Sequence, residues 1–391
     1  MKIIVFGGLG SQGRGALLDL VRSAAVDEII CADANLEGWS DFSSRVDTAK
    51  ITPVKIDASS RDSLVALLRQ DVDAAIDLLP LPFMVNVFEA AIAAKVPLVS
   101  TNYAHPLRKL HQQAVDAGVS LMPECGLDPG IDLVLFGYAV RKFDQVTVLH
   151  SYCGGFPEKS ACTNPLNYKV TWNWDMVLTS SKRDSMFIRH GQKVLIPAAE
   201  QHSEKNVVRI DFPGLGELEA IPNGDAAVYT ELLGINDTIV QTTRYALRWP
   251  GWSAFWRPLK QFGFLSDEKI DVAGCQITPH QFVSSLIGPQ LQYTATEKDI
   301  VAMQNVFEGI TAGTKKRLTT NLLIERDLES GLFAMNKGVG YPASIVVQML
   351  AKGEINTPGL LSPTVDIPAE KFIAELSARG IQIDTEEQVL K

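Results

Sequence analysis

Short apolar runs alternate with segments of helical periodicity through the first third of the chain. Residues 2–6 (KIIVF) are rich in β-branched side chains, a glycine-rich stretch follows, and ALLDLVRSAA then has its apolar positions at helical spacing. Further strand-like runs follow, with helical segments such as SRDSLVALLRQ among them; the runs are EIICAD, TPVKIDA, DAAIDLLP, VPLVSTN and VSLMPECG. Repeated βα units predict a parallel sheet with right-handed crossovers. We therefore predict an α/β Rossmann domain over residues 1–125.

The glycine-rich stretch has the spacing G-x-G-x-x-G at Gly8, Gly10 and Gly13. In a dinucleotide-binding turn the first glycine permits a tight turn, the second lets the backbone approach a pyrophosphate, and the third lets the helix pack against the strand. The helix N-terminus then faces the phosphates. The same loop also suits the adenosine of S-adenosylmethionine, so a methyltransferase is an alternative class of enzyme. The predicted cofactor contacts from this loop are Gly8, Leu9, Gly10, Ser11, Gln12 and Gly13.

An acidic residue ends the second strand-like run. Asp33 lies 20 residues after Gly13, where a carboxylate accepts hydrogen bonds from the adenosine ribose hydroxyls and repels a 2′-phosphate. The predicted cofactor is therefore NAD rather than NADP. Because the ends of parallel strands line one edge of the sheet, further cofactor contacts are expected there, from Asp57, Ala58, Leu79, Pro80, Thr101 and Asn102.

The apolar pattern changes after residue 125. The segment PECGLDPGIDLVLFGYAVRKF places two glycines, an aspartate and a proline between the last strand and an apolar helix, which is typical of a domain boundary. Asp128 there is either a helix cap or a residue at the cofactor–substrate interface. From about residue 145 alternating strands predominate, including QVTVLHSYCGG, KVTWNW and VVRIDF. We predict a second, α+β domain on a mainly antiparallel sheet over residues 126–340, with residues 340–391 packing back on the first domain.

The charge balance excludes two classes of partner. A net charge of −9 and a pI near 5.3 give no broad positive field for nucleic acid or an anionic lipid surface, so small molecules are the expected partners. Five cysteines without C-x-x-C spacing and six histidines without an H-x-x-x-H pair predict reduced thiols and no metal. The first apolar run is too short for a signal segment or a membrane span, so a cytoplasmic location is expected.

Seven segments resemble the saccharopine dehydrogenase family in their order along nearly the whole chain. They are GGLGSQG, PECGLDPGID, SYCGGFP, NPLNYKVTW, IPNGDAAVY, TTRYALRWPGW and MNKGVGYPASI. The family includes glutamate-forming saccharopine dehydrogenase and L-lysine 6-dehydrogenase. The resemblance implies an NAD(P)-dependent oxidoreductase that oxidises the carbon bearing the ε-nitrogen of lysine or of a lysine adduct. Saccharopine would yield glutamate and the lysine semialdehyde, or would be formed from them in reverse. A homodimer or larger homo-oligomer is also implied.

The resemblance assigns candidate catalytic and substrate-binding roles. Asp128 in GLDPG matches the family's substrate-contacting aspartate and would hold the substrate ammonium or act as base. Lys169 in NPLNYK would bind a carboxylate or relay protons, or else be a solvated residue of an edge strand. Tyr103, directly after Thr101 and Asn102, lies in the stretch that borders the nicotinamide in relatives. The candidate catalytic residues are therefore Asp128, Lys169 and Tyr103.

A cysteine, two arginines and four tryptophans extend this set. Cys153 with Gly154 in YCGG matches another substrate contact, although a small buried residue is the plainer interpretation. Arg244 and Arg248 would anchor a substrate carboxylate through paired hydrogen bonds, or else pair with acidic side chains or bridge subunits. The tryptophans either wall the pocket or, as we expect, fill the core; they are Trp172, Trp174, Trp249 and Trp252.

Two positions depart from the pattern of saccharopine dehydrogenases. The motif IPNGDAA has Gly224 where those enzymes carry an arginine expected to bind a substrate carboxylate, and Asp33 departs from the NADP-type loop of some saccharopine reductases. Saccharopine has one more amino-acid end, with its carboxylates, than lysine. The loss of a guanidinium therefore weakens the binding of saccharopine more than that of lysine. Oxidative deamination of lysine, as by L-lysine 6-dehydrogenase, is therefore a close alternative, and an NADH-binding sensor without turnover is a remote one.

Overall fold

The computed structural model describes residues 1–391. Its strands are β1 Lys2–Phe6, β2 Glu28–Asp33, β3 Ile51–Lys55, β4 Ala74–Asp77, β5 Leu98–Ser100, β6 Ser120–Met122, β7 Gln145–Pro157, β8 Ser185–Arg189, β9 Gln192–Ile196, β10 Val208–Phe212, β11 Gly216–Pro222, β12 Gln241–Arg248, β13 Ile270–Val272, β14 Cys275–Ile277, β15 Asp299–Thr311, β16 Thr314–Glu325, β17 Gly359–Leu360 and β18 Ile383–Val389. Its helices are α1 Ser11–Arg22, α2 Trp39–Ser43, α3 Arg61–Leu68, α4 Leu81–Ala94, α5 His111–Ala117, α6 Ile131–Val140, α7 Trp174–Ser180, α8 Ala227–Leu232, α9 Trp252–Gln261, α10 Pro279–Ile287, α11 Ala334–Ala351, α12 Pro363–Asp366 and α13 Ala369–Ala378. None of these helices combines the length and the apolar character needed to cross a membrane.

Contacts between residues divide the chain into two units. The first unit joins residues 1–138 to residues 329–381, and the second joins residues 139–328 to residues 382–391. The first unit is therefore discontinuous in sequence. From the sequence, the boundary was expected after residue 125 and the return at about residue 340; in the structure the return begins at residue 329, and the final segment belongs to the second unit.

The sheet of the first unit is parallel. Its strand order is β17-β6-β5-β4-β1-β2-β3, and every neighbouring pair runs in the same direction. The chain leaves the centre in one direction through β1 to β3 and in the other through β4 to β6. The point between β1 and β4 is the switch point at which doubly wound sheets bind dinucleotides. The predicted Rossmann sheet is confirmed.

Helix α11 packs directly against α1 within the first unit. A Cβ atom on Gly15 would lie 2.2 Å from the carbonyl oxygen of Asn336, and one on Gly340 would lie 2.5 Å from the backbone nitrogen of Ala16. The two glycines thus let the helix backbones approach more closely than side chains would permit. Helix α11 is consequently part of the core of the first unit.

The sheet of the second unit is mainly antiparallel. Its path runs β10-β11-β12-β7-β15-β16-β18, with β8 and β9 joined beside β12. Strands β12 and β7 are parallel, whereas the other neighbours on this path are antiparallel. The predicted α+β second domain is confirmed. The hairpin of β15 and β16 was not recognised in the sequence; it turns at Ala312 and Gly313, whose φ angles of 48° and 75° suit a two-residue type I′ turn.

One predicted strand is absent. The segment KVTWNW was expected to be a strand because its apolar residues alternate, yet α7 begins at Trp174 and the residues before it form no strand. Asn173 is the N-cap residue of α7, and its side chain accepts a hydrogen bond of 3.0 Å from the amide of Met176. Such a cap satisfies an otherwise unpaired helix amide. The prediction was wrong because helix capping outweighed the alternating pattern.

Aromatic side chains fill the core of the second unit. Trp174, Trp249 and Trp252 are buried, and Trp256 is fully buried beside them. Trp172, in contrast, has 40% of its surface exposed. The expected core role therefore describes three of the four tryptophans singled out in the sequence.

Candidate cofactor site and substrate residues

The glycine loop between β1 and α1 leads into a helix that no side chain caps. Gly10 is the N-cap residue of α1, no side chain caps the helix, and the first turn has no acidic residue. The loop is closed by hydrogen bonds from the amide of Gly7 to the carbonyl oxygen of Ala32 (2.8 Å) and from the amide of Gly10 to that of Gly7 (3.1 Å). Helix N-terminal amides and the helix dipole attract anions. The start of α1 is therefore equipped to bind a phosphate.

The glycines of this loop leave no room for side chains. A Cβ atom on Gly13 would lie 2.2 Å from the carbonyl oxygen of Gly7, and one on Gly8 would lie 2.6 Å from the sulfur of Cys31. Helix α1 can therefore pack this closely on β1 only because both positions are glycine. The loop has the shape that the pyrophosphate of a dinucleotide requires.

Asp33 and Arg14 both bond to the backbone of Leu9. The Asp33 carboxylate accepts a hydrogen bond from the Leu9 amide (3.1 Å). The Arg14 Nε donates to the Leu9 carbonyl oxygen (3.2 Å), and its Nη1 donates to Asp41 (2.8 Å). An acid and a cation thus lie together at the end of β2, where the adenosine ribose of a dinucleotide binds in this fold. Arg14 was not predicted from the sequence, although its place directly after the last glycine of the motif could have indicated it.

The predicted residues at the ends of β3 and β4 differ in exposure. Asp57 is exposed, and hydrogen bonds from the hydroxyl (2.6 Å) and the amide (2.9 Å) of Ser59 lower the pKa of its carboxyl group. Ala58 and Leu79 are buried, and Pro80 is exposed at the N-cap of α4. Asp57 therefore offers an ionised carboxylate at this edge, whereas Ala58 and Leu79 contribute to the core.

A buried aspartate that was not predicted from the sequence connects the ends of β4 and β5. Asp77 accepts hydrogen bonds from the Leu79 amide (3.1 Å) and the Ser100 hydroxyl (3.0 Å), and also from the Asn102 side chain. Burial raises its pKa to about 7, against the lowering effect of these donors. Thr101 and Asn102 lie half-buried beside it. Asp77 is a lone acid ending an apolar strand, which is the signal that could have identified it.

The segment after β6 is tied to the segment after β5. The Glu124 amide donates to the carbonyl oxygen of Asn102 (3.0 Å), and the Cys125 amide donates to that of Ser100 (2.9 Å). Glu124 is buried and has a φ of 63°, a conformation that is costly for a residue with a Cβ atom and is often found at functional sites. Tyr103, the next residue after Asn102, has 40% of its surface exposed. The ends of β4, β5 and β6 thus form one hydrogen-bonded edge.

The turn GLDPG at the start of α6 is organised by Asp132. Its carboxylate accepts hydrogen bonds from the amides of Gly130 and Leu133, both at 2.8 Å, and burial raises its pKa to about 7. Asp128 is half-buried and precedes Pro129 through a cis peptide bond. Asp132 therefore holds the start of α6, the role that the sequence analysis considered for Asp128.

Cys153 and Gly154 lie in the middle of the second sheet. Cys153 on β7 is buried, opposite Ala246 of β12 and Met303 of β15 in strand register. A Cβ atom on Gly154 would lie 2.3 Å from the carbonyl oxygen of Leu247, so this glycine permits a close approach of the neighbouring strand. Contact of either residue with a substrate stays a prediction.

Lys169 forms an ion pair inside the second unit. It lies outside any strand and is 5% exposed, and its Nζ is 2.5 Å from Oε1 of Glu297 and 5.8 Å from the ring centre of Tyr293. The hydrogen bond from Lys169 lowers the pKa of Glu297. The interpretation of Lys169 as a solvated edge-strand residue was wrong, because Glu297 pairs with it across 128 residues of sequence. A substrate carboxylate that bound Lys169 would share its ammonium, which has three donors, with Glu297.

Arg244 is buried on β12 next to the segment that contains Gly224. Its Nη1 donates to the Tyr229 hydroxyl (3.4 Å), and its guanidinium lies 5.5 Å from the Tyr229 ring centre. Its carbonyl oxygen accepts a hydrogen bond from the amide of Asn223 (2.9 Å). A Cβ atom on Gly224 would meet no atom within 4 Å. The position of the arginine expected in saccharopine dehydrogenases is therefore open space here.

A parallel Rossmann sheet, an uncapped helix after a G-x-G-x-x-G loop and an acid at the end of β2 together define a dinucleotide-binding oxidoreductase. The chain belongs to the saccharopine dehydrogenase family. Residues 3–122 match the profile of the saccharopine dehydrogenase NADP binding domain, and residues 126–381 match that of the saccharopine dehydrogenase C-terminal domain. The predicted family is confirmed, and the NAD(P) class of cofactor with it.

Curated relatives resemble the chain over most of its length. A saccharopine dehydrogenase [NADP(+), L-glutamate-forming] from Pyricularia oryzae is 27% identical over 93% of this chain and 94% of its own. A mitochondrial alpha-aminoadipic semialdehyde synthase from Bos taurus is 26% identical over 87% of this chain but only 43% of its own. The chain thus spans less than half of the latter protein. Relatives named for NADP do not support the predicted preference for NAD over NADP.

Solved structures share the fold. The structure described as apo histidine-tagged saccharopine dehydrogenase (L-Glu forming) from Saccharomyces cerevisiae has a TM-score of 0.86 and 22% identity, covering 99% of both chains. A homospermidine synthase from Legionella pneumophila in complex with NAD has a TM-score of 0.63 and 10% identity, covering 99% of this chain and 91% of its own. At these identities the likeness shows the fold alone.

Proposed function

We propose that this protein is an NAD(P)-dependent oxidoreductase that acts on the C–N bond of saccharopine. The observation that carries the proposal is the match of both parts of the chain, residues 3–122 and 126–381, to the two domains of saccharopine dehydrogenases. The Pyricularia oryzae relative adds support because its likeness extends through 94% of its own length. The likeness therefore includes the part of the chain that would bind substrate, not only the dinucleotide fold.

The proposed reaction removes a hydride from the carbon next to the secondary nitrogen of saccharopine, and water hydrolyses the resulting imine to glutamate and the lysine semialdehyde. The reverse reaction is a reductive condensation of those two products. A bound nicotinamide supplies the hydride acceptor or donor. The chain itself must hold the amine, accept or return its proton, and bind the carboxylates.

Asp128 is the residue proposed to hold the substrate amine or to take its proton. It is half-buried in a turn whose Gly130 and Leu133 amides donate to Asp132. Asp132 thus holds the turn, and the side chain of Asp128 is not needed for that role. Tyr103, 40% exposed at the same unit's strand edge, is a candidate partner in proton transfer. Lys169 is a weaker candidate, because Glu297 already offsets the charge of its ammonium group.

Oxidative deamination of lysine is the second candidate, and Gly224 favours it. The open space at this position provides no guanidinium for the extra amino-acid end of saccharopine. A curated relative from Synechocystis named carboxyaminopropylagmatine dehydrogenase is 20% identical over 95% of this chain and 95% of its own. The name of this relative adds other carboxylated amine adducts to the candidate substrates of the present chain.

Nicotinamide absorbance with purified protein tests these proposals together. NAD and NADP are each combined with L-saccharopine, with L-lysine, and with glutamate plus the lysine semialdehyde. Turnover of saccharopine, or its formation, supports the first proposal, whereas turnover of lysine alone supports the second. If no amine is oxidised or formed although NADH binds, catalysis on these substrates is refuted and an NADH-binding sensor remains.

The choice between NAD and NADP is proposed to depend on Asp33. Its carboxylate at the end of β2 would repel a 2′-phosphate, which favours NAD, whereas relatives named for NADP point the other way. Arg14, whose guanidinium lies at the same loop, is a cation that would attract a 2′-phosphate. The ratio of kcat/KM for the two cofactors decides between them. A homo-oligomer and a cytoplasmic location stay predictions, to be tested by light scattering and cell fractionation.

A further inference from the structure

A buried carboxylate without a cation lies at the end of β4. Asp77 is fully buried, and its partners all donate to it: the Leu79 amide, the Ser100 hydroxyl and the Asn102 side chain. An ionised carboxylate accepts hydrogen bonds at both oxygens, so this arrangement of donors suits the ionised form. Buried negative charge without a positive partner is costly. This corner of the first unit therefore favours a ligand that brings positive charge.

The hydrogen bonds around Asp77 form a closed ring between the ends of β4 and β5. Ser100 donates to Asp77 (3.0 Å), and its own Oγ accepts a hydrogen bond from the Asn102 amide (3.2 Å). The Asn102 side chain donates to the carbonyl oxygen of Leu79 (3.2 Å), and the Leu79 amide donates back to Asp77 (3.1 Å). Both carboxylate oxygens are thereby held, so the charge of Asp77 has a fixed place at this edge of the sheet.

Asp77 lies beside the glycine loop. It stands opposite Phe6 in the pairing of β1 with β4, and the amide of Leu78 donates to the carbonyl oxygen of Phe6 (3.0 Å). A Cβ atom on Gly7 would lie 2.8 Å from the carbonyl oxygen of Leu78. A dinucleotide lies across the switch point between β1 and β4, with its adenosine toward β2 and Asp33. Its nicotinamide end therefore belongs on the side of β4 and β5, where Asp77 is buried.

Other titratable groups around this edge do not control the ionisation of Asp77. They lie on α11, which packs against β4, and directly after β5 and β6; they are Lys337, Tyr341, Tyr103, Glu124 and Cys125. The pKa of Asp77 is raised by burial and lowered by its hydrogen-bond donors, and no charged side chain contributes. Because burial dominates and the pKa is about 7, the negative charge of Asp77 develops near neutral pH.

We propose that the buried carboxylate of Asp77 makes the site bind the oxidised, positively charged nicotinamide ring more tightly than the neutral reduced ring. The adenosine, riboses and phosphates are the same in both oxidation states, so their contacts with Arg14, Asp33 and the glycine loop cancel in the ratio of the two affinities. Only the charge of the ring differs, and an ionised Asp77 attracts it. The inference rests on the nicotinamide cofactor of the proposed function, but not on its substrate.

Equilibrium binding without any amine substrate tests this inference. Fluorescence titration gives the Kd of NADH, and competition with NADH gives that of NAD; NADPH and NADP are measured in the same way. The titrations extend from about pH 6 to about pH 8.5, a range that includes the pKa of Asp77. The variants are Asp77→Asn and Ser100→Ala. The control variant is Asp73→Asn, which removes the same charge from an exposed residue just before the other end of β4. Circular dichroism verifies the fold of each variant.

We expect the wild type to favour the oxidised cofactor increasingly as the pH rises. The Kd of the reduced form divided by that of the oxidised form should increase about fivefold across this range, because the ionised carboxylate attracts the ring. Asp77→Asn should abolish the increase, whereas Asp73→Asn should retain it. Ser100→Ala should move the midpoint of the increase to higher pH, since a hydrogen bond to the ionised form is lost.

Three results would overturn the inference. The first is a wild-type ratio that does not change with pH, and the second is a pH dependence that persists in Asp77→Asn. The third is a loss of affinity in Asp77→Asn that is equal for both oxidation states at every pH, which would indicate a purely structural role. If Asp77→Asn does not fold, an unchanged midpoint in Ser100→Ala overturns the inference instead.

Nicotinamide absorbance with the candidate amines separates this inference from the proposed function. If no amine is oxidised or formed but the ratio depends on pH and on Asp77 as described, the inference stands and the proposed reaction fails. If saccharopine is turned over and the ratio is independent of pH, the reaction stands and the role of Asp77 is refuted.

Discussion

The two units carry their candidate chemistry in different kinds of group. In the first unit the cofactor loop consists of backbone amides and glycines within residues 7–13. In the second, charged side chains distant in sequence come together, as Lys169 and Glu297 do across 128 residues. Substitutions in the glycine loop should therefore act through steric fit, and substitutions in the second unit should act through buried charge that has lost its partner.

The largest effect is expected from Gly13→Ala in the loop. The new Cβ atom would lie 2.2 Å from the carbonyl oxygen of Gly7, so α1 must move away from β1. We expect a loss of about 4 kcal/mol in the free energy of unfolding and a loss of cofactor affinity of about a hundredfold, measured by urea denaturation and by NADH fluorescence titration.

Gly118→Ala is the matched control for this prediction. Gly118 has a positive φ of 71°, unlike Gly13, and no atom lies within 4 Å of its added Cβ. It should cost about 1 kcal/mol through backbone strain and leave cofactor affinity unchanged. Tight NADH binding by Gly13→Ala would contradict the steric account of the loop.

In the second unit, Lys169→Met should destabilise the protein by about 2 kcal/mol. It leaves the half-buried Glu297 without its cation, and removing one member of such a pair is more costly than removing both. The double variant Lys169→Met with Glu297→Gln should therefore be more stable than the single variant in urea denaturation. A normally stable Lys169→Met with a greatly lowered kcat would show instead that Lys169 acts on the substrate.

A pH dependence of stability should originate at the strand edge of the first unit. Burial raises the pKa of Asp77 from 3.8 to about 7, so the fold favours the protonated form. The stability this provides is complete below about pH 4 and is lost as the pH rises through about 7. In Asp77→Asn the free energy of unfolding should decline less steeply between pH 5 and 7, by at most about 1.4 kcal/mol per pH unit. Urea denaturation at a series of pH values measures this slope.

Asp57→Asn serves as the comparison for Asp77→Asn. The pKa of Asp57 is lowered, not raised, by its hydrogen bonds from Ser59. Its contribution has the opposite sign and is lost at acid pH, so this variant should not flatten the decline between pH 5 and 7. An unchanged slope in Asp77→Asn would mean that Asp77 is ionised throughout.

The smallest effect is expected from Asp33→Ser. Removal of the carboxylate at the end of β2 should shift the ratio of kcat/KM for NAD and NADP about fivefold toward NADP. The added variant Arg14→Met should reverse part of this shift, because Arg14 is the cation at the same loop. If Asp33→Ser leaves the ratio unchanged, this carboxylate does not select the cofactor.

Local patterns predicted the first unit better than the second. The strand, glycine loop and helix at residues 2–22 follow one another in sequence, so their periodicity and turn residues were sufficient to predict the first βα unit. KVTWNW alternates equally well, yet the cap from Asn173 made its end a helix. The long β15–β16 hairpin was missed, although Ala312 and Gly313 form its two-residue turn.

The candidate site residues differ in the same way: those that local spacing encodes were predicted from the sequence, and those that depend on distant neighbours were not. The glycine motif and Asp33 were recognised because their spacing alone implies a dinucleotide loop. Glu124 and Asp132 were missed, since nothing in their immediate sequence shows that the fold buries an acid there. Asp77 was missed although it ends an apolar strand, because that position alone does not show which groups surround it. Their importance depends on donors from neighbouring strands, such as the Ser100 hydroxyl for Asp77.

By itself the sequence determined the Rossmann unit, the α+β class of the second unit and the family, because strand and helix periods and glycine spacing are encoded within short segments of the chain. Only the tertiary structure decided that Lys169 pairs with Glu297 and that Asp77 is buried among donors at the ends of β4 and β5 without a cation. The physical reason is that the free energy of a buried charge depends on which groups surround it, and those groups come from distant parts of the chain.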